Sequence, residues 1–117
     1  MKTRSVYPIQ PAWSGYRIVK QAIESRTPIR ATYGTRSRIL CPHAVGWKDG
    51  KLHVLCFQSG GESGSGLSPN PNDNWRCLNL AKMSRIQLAG DESWRTAHSH
   101  RRPSTCIDDI IDQIPAT

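Results

Sequence analysis

The sequence predicts an α+β fold: a small, strongly bent antiparallel β-sheet, curled into a barrel, with an N-terminal covering helix and a short C-terminal helix. Between Thr27 and Met83, short runs rich in Ile, Val, Leu, Tyr and Trp are bounded by Gly, Asp, Asn and Ser, which is typical of strands and turns. Apolar residues at helical spacing lie on both sides of this stretch. With 117 residues, the chain can build one core. We expect an extended arm at 1–14, the helix and barrel at 15–95, and a basic linker with the last helix at 96–117.

The first helix is predicted from a polar cap followed by an apolar stripe. Ser14 can cap a helix that begins at Gly15, because its hydroxyl can accept a hydrogen bond from a free N–H of the first turn. Pro28 predicts the end of the helix, since the residue before a proline avoids the α region. The residues that share the apolar face are Ile18, Val19, Ala22 and Ile23.

The sharpest local signal is the Asp49-Gly50 pair. Such a pair supplies the positive φ angles of a two-residue type I′ hairpin turn. Counting outward from the turn, the expected cross-strand pairs are Trp47 with Leu52, Val45 with Val54, His43 with Cys56, and Cys41 with Gln58.

Four further strands and one loop complete the predicted sheet. Strands are expected at 29–33, 38–41, 75–80 and 84–89. The segment 60–74 is rich in Gly, Ser, Pro and Asn, which indicates a loop, either a disordered connection or a mobile lid beside a binding face.

The C-terminal helix is predicted from the tail STCIDDIIDQI. Thr105 and Asp108 have the spacing of a capping-box-like start. Such a helix can pack on the domain or dock on a partner. Its apolar residues, at helical spacing, are Ile107, Ile110, Ile111 and Ile114, and its outer face carries Asp108, Asp109 and Asp112.

The charge balance points to a polyanionic partner. The chain has 16 Lys and Arg against 9 Asp and Glu, a formal net charge of +7, and 11 of the cations are Arg. No stretch resembles a signal peptide, and no apolar run is long enough to span a bilayer. Four cysteines do not make a disulfide framework, so we expect a cytoplasmic protein with reduced thiols.

Catalytic signatures are missing from the sequence. It contains no phosphate-binding glycine loop, no G-x-S-x-G and no H-E-x-x-H, so we predict no enzyme and no cofactor. Cys41, His43 and Cys56 would share one face of the hairpin and resemble zinc ligands. Without a C-x-x-C knuckle or a fourth ligand, we interpret the cysteines as small buried hydrophobes and predict no metal site.

Basic residues follow the strands and turns of the predicted barrel. Near Tyr33, Trp75 and His53 they could form a cationic, partly aromatic groove suited to phosphate and base. Alternatively, they are solvated charges that protect edge strands from aggregation. The set comprises Arg30, Arg36, Arg38, Arg76, Lys82 and Arg85.

The order of these segments resembles the WYL domain. A helix ending in AIESRTPIRATY is followed by RILCP, an apolar hairpin and, after a Gly-rich loop, R-x-L-x-L-x-K-M. The resemblance covers about residues 16–90. It implies a small SH3-like or Sm-like barrel of the kind found in bacterial transcription and phage-defence regulators. Only 14 residues precede the helix, so we expect a standalone version without the winged-helix domain that such regulators carry.

Several positions of the WYL motifs have a counterpart in this sequence. Tyr33 matches the tyrosine at the end of the family's first strand, and Arg38 with Pro42 matches its R-x-x-x-P. The name-giving triplet falls on Leu52, His53 and Val54, where all three letters differ, and the inner arginine of the closing pattern becomes Asn79. That closing pattern matches Arg76, Leu78, Leu80, Lys82 and Met83.

We therefore predict a non-enzymatic regulatory module that binds a nucleotide or single-stranded nucleic acid. Arg38 and Arg76 would pair with phosphates, while Tyr33 and His53 would stack on or hydrogen-bond a base. Arg36, Asn79 and Lys82 complete the predicted binding face. The alternative is an interaction protein or accessory subunit that docks through an edge strand or the C-terminal helix, and the sequence leaves self-association open.

Overall fold

The computed structural model describes residues 12–62, 67–96 and 103–114. Its elements are one long helix, six strands, two 3₁₀ turns and a single turn of α-helix before the last strand. In chain order they are α1 (Ala12–Ser25), β1 (Ile29–Tyr33), β2 (Arg36–Lys48), β3 (Lys51–Gly61), a 3₁₀ turn (Pro71–Asn74), β4 (Trp75–Asn79), a 3₁₀ turn (Leu80–Lys82), β5 (Met83–Leu88), a helical turn (Pro103–Cys106) and β6 (Asp109–Gln113).

Helix α1 begins earlier than predicted, at Ala12, so that Ser14 lies within its first turn. Gly15 is accommodated inside the helix because Ile86 of β5 packs against it: a Cβ there would lie 2.8 Å from the Ile86 Cδ1. At the other end, Arg26 adopts a left-handed φ of 50°. The Thr27 N–H then donates to the Ala22 carbonyl at 3.0 Å, which satisfies an orphan carbonyl of the last turn.

The six strands form one antiparallel sheet in the order β4-β3-β2-β1-β5, with β6 added on β2. Strand β2 holds this arrangement together because one of its edges serves two partners, β1 along its first half and β6 along its second half. Among the described strands, β4 and β5 do not pair with each other, and the Leu80–Lys82 turn connects them. The predicted closed barrel is therefore an open sheet.

The Asp-Gly hairpin is confirmed. Asp49 and Gly50 have φ angles of 52° and 75°, and the pairs nearest the turn have the predicted register. Beyond Ala44 the prediction is wrong by one residue, since Pro42 rather than His43 pairs with Cys56, and Leu40 rather than Cys41 pairs with Gln58. His43 is the extra residue of a bulge, which lies beside the one residue of this strand that has no N–H to donate.

The sheet buries apolar side chains on both of its faces. We call the face covered by α1 the inner face, and Val19 and Ala22 of the helix pack there on Leu40, Val54 and Leu78. The opposite, outer face is covered by the C-terminal segment, which contributes Cys106 and Ile107 against Ala44, Leu55 and Trp75. Tight cover on both faces explains why the hairpin strands are almost continuously apolar.

The predicted C-terminal helix is wrong, because most of that segment is strand β6 on the edge of β2. Its isoleucines do not share one face: Ile107 is buried on the outer face, Ile114 packs against the inner core, and Ile110 and Ile111 are exposed. β-branched residues are well suited to a strand, and this preference together with ion pairs to α1 and β2 outweighs the helical spacing. The ion pairs are Lys20–Asp112 and Lys48–Asp108.

Gly46 of β2 has no side chain, which lets the C-terminal segment lie directly against the strand. A Cβ at position 46 would lie 2.1 Å from the Asp109 carbonyl oxygen and 2.5 Å from the Ile107 Cγ2. Any side chain here would therefore push the C-terminal segment away from β2.

The expectation of reduced thiols holds for only two of the four cysteines. Cys77 of β4 and Cys106 form a disulfide that attaches the C-terminal segment to the outer face. Cys41 and Cys56 are free and buried. No helix among the described residues combines the length and the apolar character needed to cross a membrane.

Candidate anion-binding site

Two arginines from strands that are far apart in the sequence converge on one side chain. The Arg38 Nη1 donates to the Gln58 Oε1 at 3.3 Å, and the Arg76 Nε donates to the same oxygen at 3.1 Å. Strand alternation brings them together, since Arg38, Gln58 and Arg76 each lie two residues from an inner-core residue, Leu40, Cys56 and Leu78 respectively. We call these three residues the arginine pair and its glutamine.

Gln58 is the functional residue that the sequence did not reveal. It is fully buried, and its Nε2 donates to the carbonyls of Gly60 and Glu62, at 3.0 Å in both cases. The amide therefore accepts one hydrogen bond from each arginine on one side and fixes the end of β3 on the other. A glutamine at the end of the apolar run VLCF was the available signal, because a buried polar side chain needs partners.

The charge of the arginine pair has no counterion among the described residues. None of their carboxylates lies within ion-pair distance of Arg38 or Arg76, whereas Arg30 pairs with both Asp91 and Glu92. Burial, and secondarily the neighbouring charge of Arg38, lower the pKa of Arg76. The Arg76 Nη1 also donates to the Asp73 and Trp75 carbonyls, at 3.0 and 3.1 Å. Arginine stays protonated in proteins, so the site holds two positive charges whose acceptors among the described residues are all neutral.

Tyr33 forms a wall of the site. Its ring lies beneath the Arg38 guanidinium, with the Arg38 Cζ 5.3 Å from the ring centroid, a cation–π geometry. Its hydroxyl accepts a hydrogen bond from the Asn79 backbone N–H at 3.3 Å, which links β1 to the end of β4. Tyr33, Arg38 and Arg76 are thus the three predicted residues that the structure brings together.

The other predicted residues lie around or away from this centre. His53 is flanked by Leu52 and Val54, which pack in the inner core, so its ring belongs to the outer face, where its Nδ1 lies 3.1 Å from the Lys51 carbonyl. The Asn79 side chain caps the next 3₁₀ turn by accepting from the Ala81 N–H. Lys82 and Arg36 are exposed, and Arg36 is the cross-strand partner of Tyr33.

The three residues considered as zinc ligands do not converge. Cys56 lies in the inner core, while His43 stands on the outer face between Trp75 and Trp94, with ring centroids 4.7 and 5.0 Å away. The His43 Nδ1 lies 2.8 Å from the Cys41 carbonyl. Burial raises the thiol pKa values of Cys41 and Cys56, which keeps both protonated and unreactive.

A cleft of about 550 Å³ opens beside the end of β3, and Gln58 is among its lining residues. The other residues that line it are Phe57, Ser59, Leu67, Ser68, Asn74, Arg95 and Thr96. Leu67 of the loop is exposed where it lines the cleft. The basic stretch 95–103 and the arm 1–14 lie mostly outside the described residues.

The chain is thus a small α+β domain: an open antiparallel sheet with one long covering helix. Its arginine pair, one member buried and the other half-buried, is a candidate site for an anion. No family model and no curated protein matches the chain. Among solved structures, it is similar to proteasome accessory factor B/C (PafBC) of Arthrobacter aurescens, with a TM-score of 0.59 and 19% identity over 90% of this chain. The chain spans 17% of the length of that protein. At this identity the likeness shows the fold.

Proposed function

We propose that this protein is a non-enzymatic, WYL-like regulatory module that binds a nucleotide or single-stranded nucleic acid through Arg38 and Arg76. The observation that carries the proposal is the arginine pair, which has no counterion within residues 12–62, 67–96 and 103–114. Placing two cations in a partly desolvated site costs free energy unless an anion joins them. A phosphate accepts hydrogen bonds from guanidinium groups in the planar geometry that arginine offers.

The surroundings of the pair favour a nucleic-acid ligand over a simple inorganic anion. The Arg38 guanidinium covers one face of the Tyr33 ring, so a base would stack on the guanidinium plane rather than directly on that face. Arg36 and Lys82 lie exposed on neighbouring elements, and the net charge of +7 would steer a polyanion toward the chain. The similarity to PafBC supports the fold on which the proposal rests.

The test is fluorescence-polarisation binding of short single-stranded DNA and RNA to the wild type and to Arg38→Gln, Arg76→Ala and Arg17→Ala. The first two substitutions should weaken binding at least about tenfold, because each removes a charge-assisted contact. Arg17→Ala is the matched control: it removes one charge from an exposed helix position and should bind like the wild type. Equal loss in all three variants would indicate a diffuse charge effect and contradict the proposed site.

A second candidate function is protein interaction through β6. Among the described strands, β6 pairs only with β2, and its Ile110 and Ile111 are 42% and 41% exposed. An open edge with exposed apolar side chains is the geometry that strand addition uses. This mode depends little on salt, and Ile111→Lys should abolish it while nucleic-acid binding persists.

A further inference from the structure

The arginine pair has donors left over after its contacts within the chain are counted. The Arg38 Nε is buried and has no hydrogen-bond acceptor among the described residues, although only 8% of Arg38 is exposed. Among the described residues, Arg38 otherwise donates through Nη1, to Gln58, while Arg76 donates through Nε to Gln58 and through Nη1 to the Asp73 and Trp75 carbonyls. Buried donors are almost always satisfied, so an unsatisfied guanidinium nitrogen at this position marks a place for an acceptor from a ligand.

The two positive charges at this place match a ligand group with two negative charges. The two guanidinium groups donate to the Gln58 amide oxygen and to the Asp73 and Trp75 carbonyls, and none of these acceptors carries a negative charge. An internal phosphodiester carries one negative charge, whereas a terminal phosphate monoester carries about 1.5 to 2 at neutral pH and offers three acceptor oxygens. The terminal group therefore matches both the charge and the number of donors better.

The depth of the site leads to the same class of ligand. Gln58 is fully buried and Arg38 nearly so, with Tyr33 as one wall. A phosphate at the end of a chain can approach buried groups with only one nucleoside behind it. An internal phosphodiester would have to bring a nucleoside on each side of it into the same space.

We infer that the arginine pair selects the terminal phosphate of a nucleotide or of a single-stranded nucleic-acid end over an internal phosphodiester. This inference rests on the proposed function and specifies its ligand. Under it, Arg38 and Arg76 hold the terminal phosphate, and the rest of the ligand extends outward toward Arg36 and Lys82.

The experiment compares hexathymidylates that carry a fluorophore on an internal base and differ only at their ends: hydroxyls at both, a 5′-phosphate, or a 3′-phosphate. One of the phosphorylated forms should bind the wild type about tenfold or more tightly than the hydroxyl form. Arg76→Ala should remove that preference, while Arg17→Ala should keep it. A circular dichroism melt of each variant confirms that it is folded.

The outcomes separate this inference from the proposed function. Equal affinity for the three oligonucleotides, lost in Arg38→Gln and Arg76→Ala, would overturn the preference for an end and leave nucleic-acid binding at this site in place. Binding to none of them would overturn both. A preference for a phosphorylated end that survives Arg76→Ala would show that the terminal phosphate is held elsewhere, and this too would overturn the inference.

Discussion

Gln58 orients the two guanidinium groups of the site by accepting a hydrogen bond from each. Its Oε1 accepts from both arginines while its Nε2 is held by the carbonyls of Gly60 and Glu62, so the amide cannot rotate to offer its NH₂ group instead. A neutral acceptor orients the guanidinium groups without neutralising them. A carboxylate at the same position would orient them equally well and would supply the counterion that the site lacks.

Gln58→Glu should therefore abolish phosphate binding. It also removes the two Nε2 donors to the Gly60 and Glu62 carbonyls, so we expect a lower melting temperature in a chain that still folds. The new carboxylate would form an ion pair with both guanidiniums and compete with the ligand from inside the protein. Fluorescence polarisation with single-stranded DNA measures the loss, and thermal unfolding checks that the variant is folded. The control is Gln87→Glu on β5, an exposed glutamine whose substitution changes the net charge equally. Unchanged affinity in Gln58→Glu would show that the ligand does not reach the arginine pair.

At the residue scale, the sequence predicted the charged and aromatic members of the site but not the residue that organises them. Tyr33, Arg38 and Arg76 could be named because residue type and motif position indicate phosphate and base contacts. Gln58 could not, since its role depends on Arg38 and Arg76 meeting at the end of β3. His53 was placed in the site although its neighbours Leu52 and Val54 alternate into the inner core.

At the scale of elements, the C-terminal segment shows where pattern reasoning fails. The isoleucine spacing fits a helix, yet the segment meets an open edge of β2 and continues the sheet. The residues of this segment do not themselves indicate that an edge of β2 is available for pairing. The Asp49-Gly50 hairpin was predictable because a tight turn is specified by its own residues, whereas the shift at His43 depends on the missing N–H of Pro42.

The disulfide between Cys77 and Cys106 should stabilise the fold by attaching this segment to β4. We expect Cys106→Ser to lower the free energy of unfolding by about 2–4 kcal/mol, because the cross-link restricts the unfolded chain. Denaturant unfolding with and without a reductant measures this. Reductant should reproduce the effect in the wild type and have little further effect on the variant. A wild type that is insensitive to reductant would contradict the prediction.

Gly46→Ala tests the packing of β6 without touching the disulfide. The added methyl would collide with the Asp109 carbonyl and with Ile107, so the strand has to move or the core has to expand. Overpacking of this kind costs about 1–3 kcal/mol, measurable as a lower midpoint of urea unfolding. Gly90→Ala is the control, because a Cβ there meets nothing within 4 Å. Equal stability of the two variants would show that β6 does not lie against Gly46.

At the scale of the whole molecule, the question is how much of any binding comes from the net charge of +7 and how much from the arginine pair. The two contributions differ in how many phosphate charges they neutralise. A local site with Arg38 and Arg76 neutralises about two charges, whereas attraction spread over the basic surface would neutralise more.

The salt dependence of binding distinguishes these contributions. With about two phosphate charges neutralised, the slope of the logarithm of the binding constant against log salt concentration should be near −1.4 for a single strand. Arg76→Ala should reduce the magnitude of this slope by about 0.7. Titrations at several salt concentrations give both slopes. A much steeper wild-type slope that Arg76→Ala leaves unchanged would assign the binding to the general charge of the surface.

The shared edge of β2 also orders the assembly of the sheet in time. Strands β1, β2 and β3 are consecutive and pair through tight turns, so they need only short loop closures. Strand β6 pairs with residues 44–47 from the far end of the chain, a contact of high sequence separation that raises the contact order of the fold. We therefore expect the three-stranded meander of β1, β2 and β3 to form first. In it, β1 pairs with only the first half of its edge of β2, and β6 pairs with the second half of that edge last.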